Sequence, residues 1–597
     1  MDFEARLARL EKAFPQQAEL PDGDDASPSA GSDWLSPSVA QNDRSSLLEN
    51  DPDQMDEAIR GGTSARKTIA DLDQLIPPDK SVEQPVALNH CPFARYNAFP
   101  DCCERELLVW TSRMNYRNHD QDQNTLRRYF TFLNPHYPCL NESRFFSDLQ
   151  TYSTSDISTL RNREALQFVA LVYLLVALMK ILEGYCTESS AIPGWQEFNR
   201  ASHLLSHNTH MGRGDVQTAN CFIIKALYLL YIEEYNASYE AVSQAVRLCY
   251  QNGLNRQSTW KDCTPFEVHM RQRIFWSIYC LDRTVAQVSG MPYLLRDTEH
   301  RVDLPAAVND QMLNAGDLLP EETPEHSASP YQHNIVRWGQ LSAEVWDKMY
   351  GLNAESTISD EYVVTMDARL ILLRDRFPKH LQWRGELSTS PGARETPRYI
   401  VRQAYILHLR VNHLRLLLQR QSMVGSDFRQ RAAEICLPIA SDSIMTIYNT
   451  HFSSLHQELE RYSSITYLTG AMIPVACIIL KGGPQNNLRE DAISLYQKAM
   501  MVFQDISSGF ALARAMLKRL RRIVSAVELN IRGRDKTAMV SQTSRAFHVA
   551  DMDTNMDNCL ELNQYSVNMF DLLYDATLDA PLDDAAILEF RSFDQFG

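Results

Sequence analysis

Five features are missing from this 597-residue sequence, and each absence argues against a class of protein. None of the 12 cysteines forms a Cys-x-x-Cys pair, which argues against a compact zinc framework or a small disulfide scaffold. The longest apolar run covers residues 168–179 and ends at Lys180. A membrane span needs about 20 such residues, so we expect a buried core helix and no membrane partner. The charged N-terminus has no secretory signal pattern.

A basic region of the kind that binds nucleic acid is also missing. Residues 1–60 hold 14 acids and five bases, and residues 551–597 hold 11 acids and one base, Arg591. The formal net charge is −17, so the residues between these two ends are close to neutral. Direct binding to DNA through a basic arm is therefore not predicted for either end of this sequence.

The sequence lacks the motifs of common enzyme classes. It contains no phosphate-cradling glycine-rich loop, no Gly-x-Ser-x-Gly and no His-Glu-x-x-His. The nearest case of a metal-binding acidic motif is Asp583-Asp584, which has Ile587 where a third acid would be needed. His203, His207 and His210 have the spacing of a helical metal site, but a solvated helix end is the simpler interpretation. We expect no enzyme activity, catalytic residue or bound metal.

What the sequence does contain is helical periodicity. Apolar residues recur at helical spacing through the middle of the chain, and no segment alternates with the period of a strand. Asn236 is predicted to cap one helix and Gly253 to end it. The expected fold is all-α, a large irregular multi-helix regulatory domain between disordered acidic N- and C-terminal segments. The predicted boundaries are a short coiled-coil-like helix at 1–14, a mostly disordered linker at 15–103, the helical domain at 104–540 and an acidic-hydrophobic tail at 541–597.

The stretch RQRIFWSIYCLDRTVAQVSGMPYLL, residues 271–295, belongs to a predicted helix of about 25 residues. Thr264, Pro265 and Glu267 make a capping box at its start, and Gly290 with Pro292 ends it. The helix is apolar over much of its circumference, with Phe275 and Trp276 in its broad stripe. Its charged residues then require internal partners; they are Arg271, Arg273, Asp282 and Arg283.

Three segments together resemble the middle homology region of fungal zinc-cluster transcription factors, also called the fungal-specific transcription factor domain. They are RYFTFLNPHYPCLNESRFFSDL (128–149), AVSQAVRLCYQNGLNR (241–256) and EVHMRQRIFWSIYCLDR with the following GMP (267–292). VDLP at 302–305 and, more weakly, HLRVNHLRLLLQRQ at 408–421 also fit. The resemblance covers about 125–425 and implies a nuclear transcriptional regulator.

The resemblance gives the N-terminal residues an expected role. Phe3, Leu7, Leu10 and Phe14 form a two-heptad seam, which resembles the family's dimerising coiled coil and implies a homo- or heterodimer; a frayed amphipathic tail is the alternative. In the family a two-zinc, six-cysteine cluster precedes this element, but the sequence contains no such pattern. Either the regulator lacks a cluster, or an upstream piece is missing from this sequence. Zinc is expected as a cofactor only in the second case, and DNA is bound indirectly or through that missing cluster.

Two further segments have expected roles. In the tail, acids alternate with apolar residues, among them Phe570, Leu573, Tyr574, Phe590 and Phe593. That composition is typical of a disordered activation domain that binds a coactivator groove; a tail that docks on its own domain is the alternative. The basic cluster Lys518, Arg519, Arg521 and Arg522 suits a nuclear import signal, or a solvated helix face. The predicted function is activation of a specific fungal gene set, such as a metabolic pathway, with a non-DNA-binding scaffold or ligand-sensing cofactor as the alternative.

Overall fold

The computed structural model describes residues 101–115, 119–183, 192–209, 212–314, 318–351, 354, 358–385, 397–424, 428–452, 461–482 and 486–543. These residues contain sixteen α-helices, several short 3-10 turns and two isolated β-bridges but no strand. The helices, in chain order, are α1 Asp101–Asn115, α2 His119–Phe132, α3 Glu142–Ser153, α4 Arg163–Glu183, α5 Trp195–Asn208, α6 Val216–Tyr231, α7 Tyr235–Gln251, α8 Pro265–Ser289, α9 Ser329–Met349, α10 Asp360–Asp375, α11 Arg398–Leu418, α12 Arg420–Val424, α13 Gln430–His451, α14 Arg461–Lys481, α15 Arg489–Gly509 and α16 Ala511–Thr543. The prediction of an all-α fold is confirmed for this part of the chain.

The apolar run that the sequence places in the core forms most of α4. Nearly every side chain from Ala165 to Met179 is buried, so the helix is surrounded by protein on all sides, as its all-round apolar composition requires. By length and hydropathy alone, Arg163–Leu182 and Arg461–Lys481 could each cross a membrane, but 89% and 67% of their apolar windows are buried inside the structure. Burial among neighbouring helices accounts for the hydropathy of the first helix.

The buried apolar residues form two main clusters. The larger cluster draws on α1 to α11 and includes the central α4, α6 and α8. The second is built by α11 to α16. Helix α11 contributes to both: Leu407 and Val411 lie in the first, and Tyr405 and Leu409 in the second. The two halves of the helical body therefore share α11 as a common wall.

Helices α6 and α7 form an antiparallel hairpin. Asn236 was predicted to cap α7, but the N-cap is Glu234, so that prediction is wrong. Glu233 has a left-handed backbone with φ of 65°, and the backbone N–H of Glu234 donates to the carbonyl of Leu229 at 3.0 Å. The chain has thus turned and re-entered helix by Tyr235. Gly253 does end the hairpin, with φ of 62°, a conformation that favours glycine.

Candidate functional site

The most distinctive part of the sequence forms helix α8, and its predicted limits are the observed ones. The Thr264 side chain accepts a hydrogen bond from the Glu267 backbone N–H, the Glu267 side chain accepts one from the Thr264 backbone N–H, and Pro265 is the first helical residue. Gly290 follows the last turn with φ of 70°. Both caps lie on short local motifs, which is why sequence spacing alone located them.

The Asp-Arg pair of α8 is fully inside the protein. Asp282 is 0% exposed and Arg283 is 3% exposed, and the Arg283 guanidinium donates to the Asp282 carboxylate at 2.8 Å. The same carboxylate accepts the backbone N–H groups of Leu294 and Leu295, each at 2.9 Å. Burial raises the pKa of Asp282, while Arg283 and these two N–H groups act in the opposite direction. Asp282 thus fastens the segment after the Gly290 turn onto the helix.

Arg283 makes a second ion pair with Asp297, at 3.3 Å. Its guanidinium lies over the rings of Tyr279 and Tyr293, 4.2 Å and 4.0 Å from their centroids, and Tyr279 donates to Asp297 at 2.6 Å. Burial raises the pKa of Asp297, but hydrogen bonds from His300 and Tyr279 and the charge of Arg283 outweigh it and hold that pKa below its usual value. Two acids and two aromatic rings therefore hold this arginine in place.

Arg273 fixes a different part of the chain to the same helix. It is 2% exposed, its Nε donates to the carbonyl of Pro138 at 2.8 Å, and its guanidinium pairs with Asp310. Asp310 also accepts the backbone N–H of Ala328 at 3.2 Å. Arg273 consequently joins the 128–149 block to the loop that precedes α9.

The remaining predicted residues of the motif lie around these ion pairs. Trp276 donates from its indole N–H to the carbonyl of Asp303 at 2.9 Å, and Phe275 is fully buried against it. Arg271 is only half-buried, with its guanidinium 5.9 Å from the centroid of the Trp260 ring. The carbonyl of Pro292 accepts the Tyr239 hydroxyl at 2.8 Å. The structure thus places Arg273, Asp282 and Arg283 in buried ion pairs, and Arg271 outside them.

Sequence reasoning missed the partners of these arginines. Asp297 and Asp310 lie in the 290–328 segment, which has no periodicity that could assign their positions. Gly339 of α9 was missed as well. A Cβ there would lie 3.2 Å from Tyr279 Cε1 and 3.3 Å from Arg283 Cγ, so an alanine at this position would require one of these two side chains to move by a few tenths of an ångström.

The histidines of the sequence do not form a metal site in the described part of the chain. His203 Nδ1 lies 3.7 Å from a carboxylate oxygen of Glu106, a contact that the sequence did not indicate. No group of three or more His, Cys, Asp or Glu side chains suited to a metal ion occurs among the described residues. His210 and the His207 side chain lie outside the description.

A different histidine, His269 of α8, is 1% exposed, and neither ring nitrogen has a hydrogen-bond partner among the described residues. Burial, with a contribution from the charge of Arg273, lowers the pKa of His269 to about 3. A neutral imidazole beside a buried guanidinium is the electrostatically consistent state. His269 is therefore uncharged at neutral pH.

The predicted import and activation residues are outside this central region. Lys518, Arg521 and Arg522 are exposed on α16, while the Arg519 side chain lies outside the described residues. The apolar residues of the tail, Phe570, Leu573, Tyr574, Phe590 and Phe593, and the coiled-coil seam at 1–14 also lie outside them. Their roles remain predictions.

The chain matches a known family over the region that holds this geometry. Residues 126–370 match the family model described as the fungal specific transcription factor domain. That range begins within α2 and ends within α10, so it includes α8, its three arginine ion pairs and the 128–149 block. The helices continue well beyond the match, through α16.

Curated relatives are similar over overlapping lengths. The Neurospora crassa "Transcriptional activator protein acu-15" is 20% identical over 318 residues, which are 53% of this chain and 32% of the relative. The Aspergillus fumigatus "ABC-transporter-regulating transcription factor" is 22% identical, over 41% of this chain and 26% of the relative. The "Aurofusarin cluster transcription factor aurR2" of Gibberella zeae is 26% identical, over 30% of this chain and 27% of the relative.

The matched segments thus span only about a quarter to a third of these relatives' lengths. Within that shared part, the motif residues form the core of the structure: one capped helix with its buried arginines tied to two flanking segments. Residues 126–370 of the chain match the fungal specific transcription factor domain, and the relatives named above are fungal transcription factors.

Proposed function

We propose that this chain is a nuclear transcriptional regulator, an activator whose helical body is the regulatory domain and whose acidic tail contacts the transcription machinery. The observation that carries the proposal is the match of residues 126–370 to the fungal specific transcription factor domain. The three sequence blocks that suggested this family all lie in or at the edges of one packed core around α8. The charged residues of these blocks hold the core together through ion pairs, and we assign them no catalytic role.

Activation is assigned to residues 551–597. Eleven acids accompany the tail's apolar residues there, and such a composition keeps aromatic side chains solvated until a partner groove accepts them. The partner is a coactivator or a subunit of the transcription machinery with an apolar groove and a basic rim. The alternative is that the tail docks on its own helical body, and the experiment below distinguishes this from activation through a partner.

Access to promoters is assigned to the other parts of the chain. The seam at 1–14 would pair with a second copy or with a related regulator, and DNA would be reached through that partner or through a zinc cluster upstream of the given sequence. The exposed bases Lys518, Arg521 and Arg522 of α16 would direct nuclear import. The regulated genes form a specific fungal set.

A reporter experiment tests the proposal. The full chain, and the chain without residues 551–597, are fused to a foreign DNA-binding domain and expressed in a fungal host with a matching reporter. We expect activation by the full chain and background expression with the deletion, at equal protein levels. Unchanged activation after the deletion would refute the assignment to the tail, and increased activation would show that the tail docks on the body and inhibits it.

A further inference from the structure

Helix α10 has an apolar face that lies open on the surface of the structure. On its inner side, Met366 and Leu370 are buried in the larger cluster. On its outer side, Val364 is 58% exposed and Leu372 is 49% exposed, and Ala368, which lies between them, is exposed as well. A surface helix normally carries polar residues on its outer face, and a row of exposed apolar residues is typical of an interaction site.

This outer face is symmetric about Ala368. Val364 lies four residues before it and Leu372 four residues after it, so the three residues follow one line along the helix. Ile371, which is half-buried, borders that line. In an antiparallel pair of two α10 helices with a two-fold axis at Ala368, each Val364 would meet Leu372 and Ile371 of the other copy. The two small alanines at the centre would let the helices approach closely.

The charges at the two ends of α10 fit the same arrangement. Glu361 and Arg376 are exposed, and neither is in an ion pair with another described residue. Glu361 lies about 10.5 Å along the helix before Ala368, and Arg376 lies about 12 Å after it. Around the helix they lie about 20° and about 80° from Ala368 in the same direction. An antiparallel pair therefore brings each Glu361 close to Arg376 of the other copy, twice in one dimer.

The acids on the other side of the face already have cations within one copy. Asp360 pairs with Arg429 at 3.2 Å, and Asp375 pairs with Arg374 at 3.3 Å. The approach of these two acids in an antiparallel pair is therefore compensated. A parallel pair would instead place each Glu361 beside its own copy, and like charges at that distance repel. Charge thus selects the antiparallel orientation.

We propose that the outer face of α10, defined by Val364, Ala368, Ile371 and Leu372, binds the same face of a second copy of this chain. The 16 residues of α10 form a footprint about 24 Å long and about 10 Å wide. That area of about 240 Å² is below the about 800 Å² per partner of a stable interface, so the contact is weak. It is separate from the pairing proposed for residues 1–14, and the tail does not need it to activate a reporter.

Oxidative cross-linking of the purified full chain tests the proposal. In Ala368→Cys, the new thiol faces the same thiol of the second copy, within the range of a disulfide, whose Cα atoms are about 4.4–6.8 Å apart. We expect a linked dimer on a non-reducing gel that disappears on reduction. The wild type shows the background from native cysteines. Ser494→Cys, at an exposed position of α15, is the matched control and should remain at that background.

Exchange of the end charges tests the orientation within the Ala368→Cys chain. Glu361→Arg alone, or Arg376→Glu alone, places like charges together in the dimer. Because an exposed ion pair contributes about 1.4- to 5-fold and the dimer has two of them, cross-linking should slow by about 2- to 30-fold. Combining the two substitutions restores opposite charges and should recover the rate. Glu434→Arg, at an exposed position of α13, should leave the rate unchanged.

Two results would overturn the proposal. If Ala368→Cys cross-links no more than Ser494→Cys, the face is not joined to a second copy, whether it is bare, covered by the tail or bound to a different protein. If the double charge variant cross-links as slowly as the single variants, the antiparallel pairing is wrong. All the substituted side chains are exposed, so the variants should fold, and thermal unfolding checks that they do.

Discussion

Arg283 donates to the carboxylate of Asp282, the residue directly before it, at 2.8 Å. Neighbouring helical residues normally point in different directions, but here the arginine lies over the two tyrosine rings and reaches back to the acid. The same carboxylate binds two backbone N–H groups from beyond the helix end. A motif that looks like a reactive pair in the sequence is therefore a clamp between α8 and the chain that follows it.

Asp282→Asn should destabilise the protein strongly. The amide cannot provide the negative charge that compensates Arg283, nor accept all of the hydrogen bonds now made to the carboxylate. Breaking a buried pair by removing one partner costs about 3–5 kcal/mol, and we expect a loss of that size in the free energy of unfolding measured with urea. Asp303→Asn, at an exposed side chain, is the control and should change it by less than about 0.5 kcal/mol. Equal effects of the two variants would contradict the clamp.

Gly290→Ala should also destabilise the fold. Gly290 has φ of 70°, and an L-residue in the left-handed region costs about 1–2 kcal/mol. The matched control is Gly385→Ala, because a Cβ at Gly385 would meet nothing within 4 Å and its φ is not positive. Thermal unfolding of both variants measures the difference. A Gly290→Ala protein with the same melting temperature as the Gly385→Ala control would show that the turn adapts without strain.

Local patterns explain how much of this fold could be predicted. The limits of α8 follow from Thr264, Glu267 and Gly290, since caps depend on residues a few positions apart. The burial of α4 follows from its uniform composition. The start of α7 could not be predicted, because a left-handed Glu233 is set by the packing of the hairpin rather than by its own preference.

For the ion pairs of the site, the sequence predicted the arginines but not their partners. The sequence showed that Arg273 and Arg283 needed acids, but it could not choose Asp310 and Asp297 from an irregular loop.

The stability of the protein should fall as the pH drops below about 6.5. The folded pKa of His269 is lowered to about 3 by burial, whereas an unfolded histidine titrates near 6.5. Between these values the unfolded state binds a proton that the folded state does not, so unfolding becomes easier as pH falls. The contribution of His269 should be a loss of about 2 kcal/mol at pH 5 relative to neutral pH.

His269→Leu checks this assignment by urea unfolding between pH 7 and pH 5. The free energy of unfolding of the variant should fall less over that range than that of the wild type, by the amount given above. Part of the pH dependence will remain, because burial also lowers the pKa of His136 and His413. His326→Leu, at an exposed imidazole, is the control and should keep the wild-type slope. A His269→Leu curve parallel to that of the wild type would contradict the buried neutral imidazole.

Replacing the exposed bases of α16 should move the protein out of the nucleus. A triple variant with alanine at Lys518, Arg521 and Arg522 removes three clustered charges without touching the core. The control triple removes three scattered exposed charges, at Arg376, Lys379 and Arg431. Fluorescence microscopy of tagged full chains in a fungal cell compares them. Nuclear fluorescence that is the same for both triples would refute the import role.

A second reporter experiment asks whether the tail activates transcription through its apolar side chains. In the reporter fusion, alanine replaces Phe570, Leu573, Tyr574, Phe590 and Phe593, so that every acid of the tail is kept. The control replaces five exposed apolar residues of the helical body with alanine: Met312, Leu318, Val364, Leu372 and Leu529. We expect reporter expression at background for the tail variant and at the wild-type level for the control. Full activation by the tail variant, at equal protein level, would contradict it.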